Sequence, residues 1–487
     1  MISPRDPIEF ADGAVTPRLQ VDPLAAGIVE ELASGCPTNT ATESLIDHSP
    51  DWWPRAMHWA IPGRTRSMPT AVCMPTSVDE VAHVVRVCSR HRIPITPMAG
   101  RSSVTGAATP AQGGVALDMT GMNEILEVDS TSGVVCVEPG MFGPELESEL
   151  QTKHRLTVGH FPQSFDISTV GGWVASRGAG QYSTRYGKIE DIVIGLEVVL
   201  ADSRVVRLGP HAAAAQGPDL MQLFVGSEGT LGVITKVWLR AHPLADHRRL
   251  AAYSFASLEL GISAVRDSVR HGATPAVLRL YDDIESARSH AATESRCTLL
   301  VLDEGTPEIV DATLSVVDRF VRQHGGRAES VSLVERWLEH RNDVSALAAL
   351  THKGFVIDTM EVTSPWSQTV AVVEAVKRAA LGVDGVRNAS AHLSHSYLDG
   401  ACLYFTFAAK GEDPDTTYVN LWDAAQHAAL DCGATLSHHH GVGMSRARFM
   451  HRALGESLAV LRDLKKTLDP HGMFNPGKLA LGEEFWP

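Results

Sequence analysis

The chain has 487 residues, of which 44% are hydrophobic and 20% charged, and its formal net charge is −15. This length exceeds one ordinary hydrophobic core, so two or three domains are expected, and the acidic balance argues against nucleic acid or an anionic membrane surface as the main partner. No apolar run reaches the ~20 residues that a membrane span requires, and no apolar secretory segment follows Met1. Seven scattered cysteines without a Cys-x-x-Cys pair indicate reduced thiols, so we expect a cytoplasmic protein that contacts membranes at most peripherally.

The N-terminal part of the chain divides into an arm and a first domain. Residues 1–67 contain prolines, acidic residues and the cluster Trp52-Trp53-Pro54, and we expect a peripheral arm that contains some helix. A capping box, Ser77 to Glu80, predicts the start of a helix whose apolar residues follow at helical spacing. Residues 68–243 are predicted to form one domain with strands over 71–75, 93–97, 115–119, 134–138 and 192–200 and a short helix over 146–153.

The pattern changes from about residue 244. Helical patterns over 258–271, 307–325, 366–381 and 416–432 alternate with strand patterns over 276–281, 297–303, 354–361 and 401–408. We expect a second, α+β domain over 244–435. The segment 436–487 carries a histidine tract and a predicted helix over 446–468, and we expect it to return to the first domain.

Three glycine-rich loops, each preceded by a β-type run, lie in the first domain, at 97–106, 159–187 and 225–235. Loops of this kind let backbone N–H groups approach a pyrophosphate. No G-x-G-x-x-G sequence opens a βαβ unit, as a Rossmann fold would require. The loops therefore predict a dinucleotide held by several segments rather than by one helix start.

In order and spacing these loops resemble flavoproteins of the vanillyl-alcohol-oxidase/p-cresol-methylhydroxylase superfamily. The resemblance is carried by Pro97–Gly106, Ser168–Gly180, Arg185–Gly187, Gly226–Gly232 and the terminal Phe474–Lys478, and it covers residues 68–480. It implies an α+β protein: a two-subdomain FAD-binding fold of the p-cresol-methylhydroxylase type with an α+β cap domain for the substrate. The implied FAD contacts are Pro97, Met98, Ala99, Gly100, Arg101, Ser102, Ser103, Val104, Asp166, Ser168, Thr169, Gly171, Gly172, Ser176, Gly178, Ala179, Tyr182, Glu228, Gly229, Gly232, Val233 and Ile234.

The first loop departs from the family pattern, which carries more glycine at this point. Ala99 and Arg101 flank Gly100, so Arg101 either adds charge to the pyrophosphate site or shifts the loop. A covalent flavin link usually needs a histidine or cysteine near this loop or the ring. The first loop contains neither, so we predict non-covalent FAD.

The run Ser437–Gly443 places three adjacent histidines, His438, His439 and His440, before two glycines. Three imidazoles in a row are hard to explain by packing, and they indicate a site that handles protons or anions near neutral pH. A zinc site is an alternative, because in an extended segment His438 and His440 share a face and His395 would add a third ligand. A packed or surface tract is another. We predict no metal.

A second C-terminal run, His395–Phe405, stands where many 2-hydroxyacid dehydrogenases of the superfamily carry a His-x-Gly-Asp-Gly-Asn metal-binding motif. Together with the histidine tract it resembles the alkylglycerone-phosphate synthase branch, although Met444 stands where a basic residue is usual. The resemblance implies replacement of the acyl group of acyl-dihydroxyacetone phosphate by a fatty alcohol, through a flavin N5 adduct and without net redox.

This branch implies roles for six residues. Tyr397, His438, His439 and His440 are the implied catalytic residues, and Arg279 and His395 the implied phosphate contacts. Two roles keep open alternatives, since Tyr397 can be an ordinary half-buried strand tyrosine and Arg279 can pair with Asp282 or Glu361.

Two other functions remain open at this point. One is an FAD-dependent dehydrogenase of a 2-hydroxyacid (the D-lactate or glycolate type) or of another small alcohol. The other is a flavin-binding subunit without catalysis of its own. The family resemblance also suggests a homodimer.

Overall fold

The computed structural model describes residues 15–290, 295–343 and 345–482. The outer parts of the predicted arm and C-terminal segment, 1–14 and 483–487, lie outside the described residues. The helices are Ala26–Ala33, Thr42–Asp47, Pro54–Ala60, Val78–His91, Gly143–Glu149, Val170–Ser176, Ser183–Tyr186, Ile189–Ile192, Leu258–Arg270, Asp283–His290, Pro307–Gln323, Ser332–His340, Ser345–His352, Thr369–Leu381, Pro414–Asp431, Met450–Leu454 and Ser457–Leu468. In the described residues no helix is both long and apolar enough to span a bilayer.

The first domain begins with a small, mainly parallel sheet. Its strands lie in the order Thr38–Asn39, Ala71–Cys73, Val115–Asp118 and Ile95–Met98, and only the first is antiparallel to its neighbour. Half of the predicted capping box is present, since Ser77 Oγ accepts from Glu80 N at 3.3 Å. Glu80 Oε2 accepts from the N–H of the preceding residue, Thr76, at 2.7 Å rather than from that of Ser77. The helix that follows buries its valine face against this sheet.

A five-stranded antiparallel sheet completes the first domain. Its strands lie in the order Val205–Leu208, Val193–Val199, Val233–Arg240, Val134–Val137 and Ile125–Asp129. The two sheets hold the predicted glycine-rich loops at strand ends, because the first loop follows Ile95–Met98 and the third precedes Val233–Arg240. The FAD loops therefore converge on one side of the domain.

The cap is a seven-stranded antiparallel sheet covered by four long helices. Its strands lie in the order Arg327–Glu329, His247–Phe255, Cys297–Gly305, Val277–Tyr281, Val386–Ser396, Gly400–Ala409 and Val356–Pro365. The strands His247–Phe255 and Val386–Ser396 were not predicted. Both mix basic, serine or histidine residues with apolar ones, which obscures the alternation of a strand, and their ladder partners come from distant segments.

The N-terminal arm packs between the domains rather than at the periphery. Trp53 is fully buried and donates through Nε1 to Tyr418 Oη of the cap at 2.9 Å, while Arg55 pairs with Asp415 at 2.6 Å. The expectation of a peripheral arm was wrong, because Trp53 and Trp59 both donate hydrogen bonds to the cap helix Pro414–Asp431, which is remote in sequence.

The C-terminal segment returns to the first domain, where Phe474 bridges Ile95 and Asn475 N donates to Ile95 O at 2.7 Å. The single helix predicted over 446–468 is divided. A 3₁₀ turn, Ala447–Phe449, leads into Met450–Leu454, and Gly455, with φ of 52°, separates that helix from Ser457–Leu468. Glycine tolerates this left-handed backbone. Because apolar residues recur at helical spacing on both sides of Gly455, the periodicity of the sequence does not reveal the break.

Candidate active site

A cavity of about 1010 Å³ lies between the glycine-rich loops and the inner face of the cap sheet. One wall consists of the three loops, and the opposite wall consists of cap side chains and the histidine tract. Apart from Tyr182, every predicted FAD contact lines this cavity. Tyr182 is buried behind the loop wall, where its ring faces the guanidinium of Arg341 at 5.1 Å.

The loop wall has the shape and the unsatisfied groups that a bound dinucleotide requires. At Gly178 and at Gly172, an added Cβ would lie 3.4 Å from the nearest protein atom, an ordinary contact. A side chain at either position would therefore not clash with the protein, but it would occupy cavity space that the glycines leave open for a ligand. Within the described residues, Thr169 Oγ1 is buried and lacks a hydrogen-bond partner. Buried polar atoms are normally satisfied, so a ligand is the expected partner. The residues fit FAD.

His160 is a further cavity-lining residue that the predicted site did not include. It is 1% exposed, and within the described chain neither ring nitrogen has a hydrogen-bond partner. Burial, with Lys188 nearby, lowers the pKa of His160 to about 3. The ring is therefore neutral and leans on Trp173 at 4.8 Å. The sign that His160 belongs to the site is its buried, unpartnered ring, which becomes visible only in the three-dimensional structure.

Two loop residues adopt left-handed backbone conformations that glycine would adopt more easily. Arg101 has φ of 52° and Glu228 has φ of 51°, and both line the cavity. Glu228 does not point its carboxylate at a cofactor: Oε1 accepts from Val442 N at 2.6 Å and Oε2 from Gly443 N at 2.8 Å. The strained FAD loop thus also holds the glycine end of the histidine tract.

Glu361 holds the histidine tract from the other side. Its Oε1 accepts from the backbone N–H groups of His438, His439 and His440 at 2.8–3.1 Å. Arg446 donates to both carboxylate oxygens at 3.1 and 2.6 Å. Burial opposes ionisation, but Arg446 and His440 outweigh it and hold the pKa of Glu361 well below its usual range. A buried, fully paired carboxylate thus fixes the three imidazoles.

The tract is bent, and its first two rings meet edge to face. His438 Nδ1 lies 2.7 Å from His439 Nδ1, and His438 Nε2 lies 2.6 Å from Tyr397 Oη. His395 stacks on His438 at 5.0 Å, and its Nδ1 lies 2.7 Å from Ser183 Oγ.

The zinc alternative required His438 and His440 on one face with His395. In the structure one nitrogen from each of His395, His438 and His439 falls within 4.8 Å of the others, whereas His440 Nδ1 faces Glu361 at 3.0 Å. That ligand set was wrong, because the segment is not extended and adjacent rings meet. Since His438 has protein partners on both nitrogens, the geometry favours hydrogen bonding, and the absence of a metal stays a prediction.

The catalytic candidates divide between the cavity surface and the layer behind it. His439 and His440 line the cavity, while His438 and Tyr397 lie behind His439 in the described structure. Burial lowers the pKa of His395, His438 and His439 well below the ordinary value, and burial raises that of Tyr397. These groups are therefore neutral at physiological pH.

Arg279 lines the cavity, and neither predicted pairing with a carboxylate occurs. Asp282 binds Lys377 at 2.5 Å, and Glu361 binds Arg446. Arg279 instead donates to Tyr281 Oη at 3.1 Å and to His392 Nε2 at 2.5 Å. Arginine cannot accept a hydrogen bond, so His392 carries its proton on Nδ1, which faces Glu285 at 3.2 Å.

A second arginine, Arg341, was not predicted from the sequence. Arg279 and Arg341 approach the same indole, Trp337, with their guanidinium carbons 5.5 and 5.6 Å from the ring. Arg341 also donates to Gln181 Oε1 at 2.9 Å. Within the described ranges neither arginine forms an ion pair with a carboxylate, so two cations face the cavity with neutral partners. Arg341 follows a helix remote in sequence, and no local motif marks it.

Comparisons with known proteins agree with this architecture. Residues 69–209 match the model of an FAD-binding domain, and residues 244–479 match that of the C-terminal domain of FAD-linked oxidases. The uncharacterized FAD-linked oxidoreductase YgcU of Escherichia coli (strain K12) is 31% identical over 436 residues, covering 85% of this chain and 90% of that protein. An alkyldihydroxyacetonephosphate synthase of Trypanosoma brucei brucei is 29% identical over 451 residues, covering 84% and 73%.

A solved alkyldihydroxyacetonephosphate synthase superposes with a TM-score of 0.79 at 25% identity, covering 95% of this chain and 89% of that one. The predicted fold, an FAD-binding unit of the p-cresol-methylhydroxylase type with an α+β cap, is confirmed. FAD as cofactor is confirmed as well. The chain belongs to the FAD-linked oxidases of the vanillyl-alcohol-oxidase/p-cresol-methylhydroxylase superfamily.

Proposed function

We propose that this protein is an FAD-dependent, ether-forming transferase that replaces the acyl group of acyl-dihydroxyacetone phosphate with a fatty alcohol. The observation that carries the proposal is the arrangement of the cap wall: two arginines and a neutral histidine cluster face the FAD loops across one cavity. The similarity to alkyldihydroxyacetonephosphate synthases over most of the chain supports it.

The arginine pair is suited to the phosphate end of such a substrate. A phosphate monoester carries nearly two negative charges, and two guanidinium groups offer planar, multidentate donors to it. Both guanidinium carbons lie within 5.6 Å of the Trp337 ring, so the indole contacts both cations. Since the hydrogen-bond partners of the two arginines are neutral and, in the described residues, no carboxylate forms an ion pair with either one, both cations attract an anion that enters the cavity.

The histidine cluster is suited to proton transfer at the reacting carbon. A neutral imidazole can accept a proton at physiological pH, and burial keeps His439 in that form. When bound, FAD supplies an electrophilic ring system that can hold a carbon nucleophile without net oxidation. His395 was predicted to contact the phosphate. Its Nδ1 contacts Ser183, and burial lowers its pKa, so we propose that it serves the phosphate as a neutral hydrogen-bond donor and not as a cation.

An apolar region of the cavity is suited to hydrocarbon chains. It is lined by Trp52, Pro54, Leu347, Leu350 and Ile357. These residues come from the N-terminal arm and the cap. Their side chains offer no charge, so they favour an acyl or alkyl chain over a small polar acid.

The second candidate is an FAD-dependent dehydrogenase of a 2-hydroxyacid or another small alcohol. The arginine pair can bind a carboxylate as well as a phosphate, and an FAD-linked oxidoreductase is among the similar proteins. In this reading a neutral histidine takes the hydroxyl proton while a hydride leaves the carbon.

Anaerobic absorption spectra separate the two candidates. With acyl-dihydroxyacetone phosphate we expect the flavin band to fall, and with hexadecanol to recover, while mass spectrometry detects the alkyl ether product. D-lactate and glycolate should leave the band unchanged. Rapid bleaching by a hydroxyacid, with no ether product, would contradict the transferase and support the dehydrogenase. No response to either substrate class would favour a non-catalytic flavin subunit.

Two further features remain proposals. We expect non-covalent FAD, so acid precipitation should release all flavin into the supernatant. Flavin that stays with the precipitated protein would contradict this. We also expect a homodimer, which light scattering of the purified protein tests directly.

A further inference from the structure

Arg279, His392 and Glu285 form a short hydrogen-bonded series on the cap wall. Arg279 Nη2 donates to His392 Nε2 at 2.5 Å, and His392 Nδ1 lies 3.3 Å from Glu285 Oε2 and 3.2 Å from Oε1. All three residues line the cavity, and the side chains of His392 and Glu285 are almost fully buried. In the proposed function only Arg279 contacts the substrate, so the imidazole and the carboxylate need another explanation.

The short contact between Arg279 and His392 determines the positions of the protons. A guanidinium can only donate, so the Nε2 atom 2.5 Å away carries no proton. Burial lowers the pKa of His392, and the neutral ring therefore keeps its one proton on Nδ1, where the Glu285 carboxylate accepts it. Glu285 thus favours the one neutral tautomer that can accept a hydrogen bond from Arg279.

The surrounding side chains fix the orientation of the His392 ring. The ring centre of Tyr281 lies 4.9 Å from that of His392, and Tyr404 stacks on the imidazole at 4.9 Å with an angle of 21° between the planes. Glu285 is itself held, because Ser390 Oγ donates to its Oε2 at 3.4 Å. The direction in which the Nε2 lone pair points is therefore set by the protein.

Arg279 uses one edge of its guanidinium for these protein contacts. Nε donates to Tyr281 Oη at 3.1 Å, and Nη2 donates to His392 from the same edge. A planar guanidinium has another edge, formed by Nη1 and the second Nη2 proton, whose donors match two oxygens of a phosphate or carboxylate. Because the protein holds the first edge, the second edge is the one left for a ligand.

We propose that His392 and Glu285 are positioning residues, which orient Arg279 so that its second edge, Nη1 and Nη2, binds two oxygens of the substrate phosphate. This inference rests on the proposed transferase. Neither residue needs to contact the substrate, because His392 acts on Arg279 and Glu285 acts on His392. An arginine that is fixed in advance loses less conformational freedom when the anion binds, so the two residues increase affinity without taking part in the chemistry.

A neutral histidine suits this position better than a carboxylate would. A carboxylate in direct contact would also orient the guanidinium, but its charge would offset part of the attraction for an anion. In the structure the Glu285 carboxylate lies one imidazole away from Arg279, and Arg288 Nη2 lies 3.6 Å from its Oε1. Arg279 is thereby oriented through a neutral ring, and its charge is available to the substrate.

Nitrogen-15 NMR of the histidine-labelled, FAD-loaded protein tests the proton positions without any substrate. We expect His392 to be a neutral ring with its proton on Nδ1, and His392→Gln identifies the signal by removing it. In Arg279→Met the Nε2 atom loses its donor, so its nitrogen shift should change. A proton on Nε2 of the wild-type ring, or protons on both of its nitrogens, would overturn the proposal.

Calorimetric titration with glycerol 3-phosphate tests the positioning through affinity alone. His392→Phe keeps a ring in the stack but has no acceptor, and we expect its affinity for this probe to fall about 10-fold. His392→Gln, whose amide offers both an acceptor and a donor, should bind within about threefold of the wild type. Unchanged affinity in His392→Phe, or equal losses in the two variants, would contradict the role of His392.

A double-mutant cycle tests whether Glu285 acts through His392. We expect Glu285→Gln to weaken glycerol 3-phosphate binding about threefold in the otherwise wild-type protein. In the His392→Phe background the same change should have no further effect, because the group that Glu285 holds is gone. Losses that simply multiply would show that Glu285 acts independently of His392 and would remove it from the proposal.

Steady-state kinetics separate positioning from catalysis. We expect His392→Phe to raise KM for acyl-dihydroxyacetone phosphate about 10-fold while kcat changes less than about twofold, because binding and not proton transfer is affected. The matched control is His271→Phe, at an exposed histidine that ends the helix Leu258–Arg270 and does not line the cavity in the described structure. The control should keep both constants. A lower kcat with unchanged KM in His392→Phe would contradict the positioning role.

The outcomes separate this inference from the proposed function. If the wild type forms no ether but binds glycerol 3-phosphate with the expected dependence on His392, the transferase fails and the oriented arginine stands as an anion site for another reaction. If the wild type forms the ether while His392→Phe keeps its affinity and its KM, the positioning fails and the transferase stands.

Discussion

The two walls of the cavity are built by opposite means. The FAD wall consists of three loops whose backbone conformation and glycines create the space, each formed by residues close in sequence. The cap wall consists of charged and imidazole side chains, fixed by partners such as Glu361 that come from distant strands. A wall made of backbone tolerates little change in volume, whereas a wall made of paired charges tolerates little change in polarity.

The largest effect is expected where the cap wall depends on one carboxylate. Glu361→Gln leaves Arg446 buried beside a neutral amide, and breaking a buried pair in this way costs about 3–5 kcal/mol. We expect urea unfolding to show that loss and ether formation to disappear. Glu149→Gln, which removes an exposed pair with Lys153, is the control and should change the free energy of unfolding by less than about 0.5 kcal/mol. Equal stabilities for the two variants would refute the anchoring role of Glu361.

A comparable test of the FAD wall concerns volume and not charge. Gly178→Val places a branched side chain in the cavity space, and we expect FAD affinity to fall at least about tenfold, or ~1.4 kcal/mol, with the fold retained. The flavin-to-protein ratio after gel filtration and the circular dichroism spectrum measure the two quantities. Gly27→Ala, on a surface helix with no atom within 4 Å of the added Cβ, is the matched control. A fully flavinated Gly178→Val protein would mean that the cofactor lies elsewhere.

The arginine pair gives a more selective effect on the cap wall. We expect Arg341→Met to raise KM for the phosphorylated substrate about 10- to 100-fold, because one of the two arginine cations on the cap wall is lost. Arg341→Lys should not restore binding fully, since an ammonium cannot stack on Trp337 as a guanidinium does. Arg319→Met, beside Phe320 on an outer helix, serves as the control. An unchanged KM in Arg341→Met would remove this residue from the phosphate site.

The smallest effect concerns His160, an imidazole on the FAD wall. Its folded pKa, about 3, is below the ordinary 6.5, so the unfolded chain binds the proton first as pH falls. The wild type should therefore lose stability relative to His160→Phe below pH 6.5, by about 1.4 kcal/mol between pH 8 and 5.5. Urea unfolding of both proteins across this range, with FAD present, measures the difference. Parallel curves would mean that His160 takes up a proton in the folded state.

Apart from Tyr182, the loop residues predicted from the sequence line the cavity, because their signals are local. A glycine-rich loop after a strand specifies its own backbone path, and the family that these loops resemble implied FAD before the cavity was known. Tyr182 failed to reach the cavity because the turn after Gly180 directs its ring to the cap. Gly455 similarly divided the last predicted helix, since helical periodicity persists on both sides of it.

The cap wall was predicted in composition but not in arrangement. The histidine tract and Tyr397 were recognised, yet which rings line the cavity depends on the bend that Glu361 and Glu228 impose. Arg341 and His392 lie in no recognisable motif. Their place in the site depends on tertiary contacts, of Arg341 with Trp337 and of His392 with Arg279. The N-terminal arm likewise gained its central position from Tyr418 and Asp415.

For this protein the amino-acid order alone predicted the fold class, the residue types of the histidine cluster and, through the family resemblance, the cofactor, because turns, caps and glycine-dependent loops are encoded over a few neighbouring positions. The tertiary structure alone decided which imidazoles reach the cavity, which arginines remain without a carboxylate and how the proton-bearing atoms connect. Those properties depend on burial and on distances of a few ångströms between segments hundreds of residues apart, and short-range patterns contain neither.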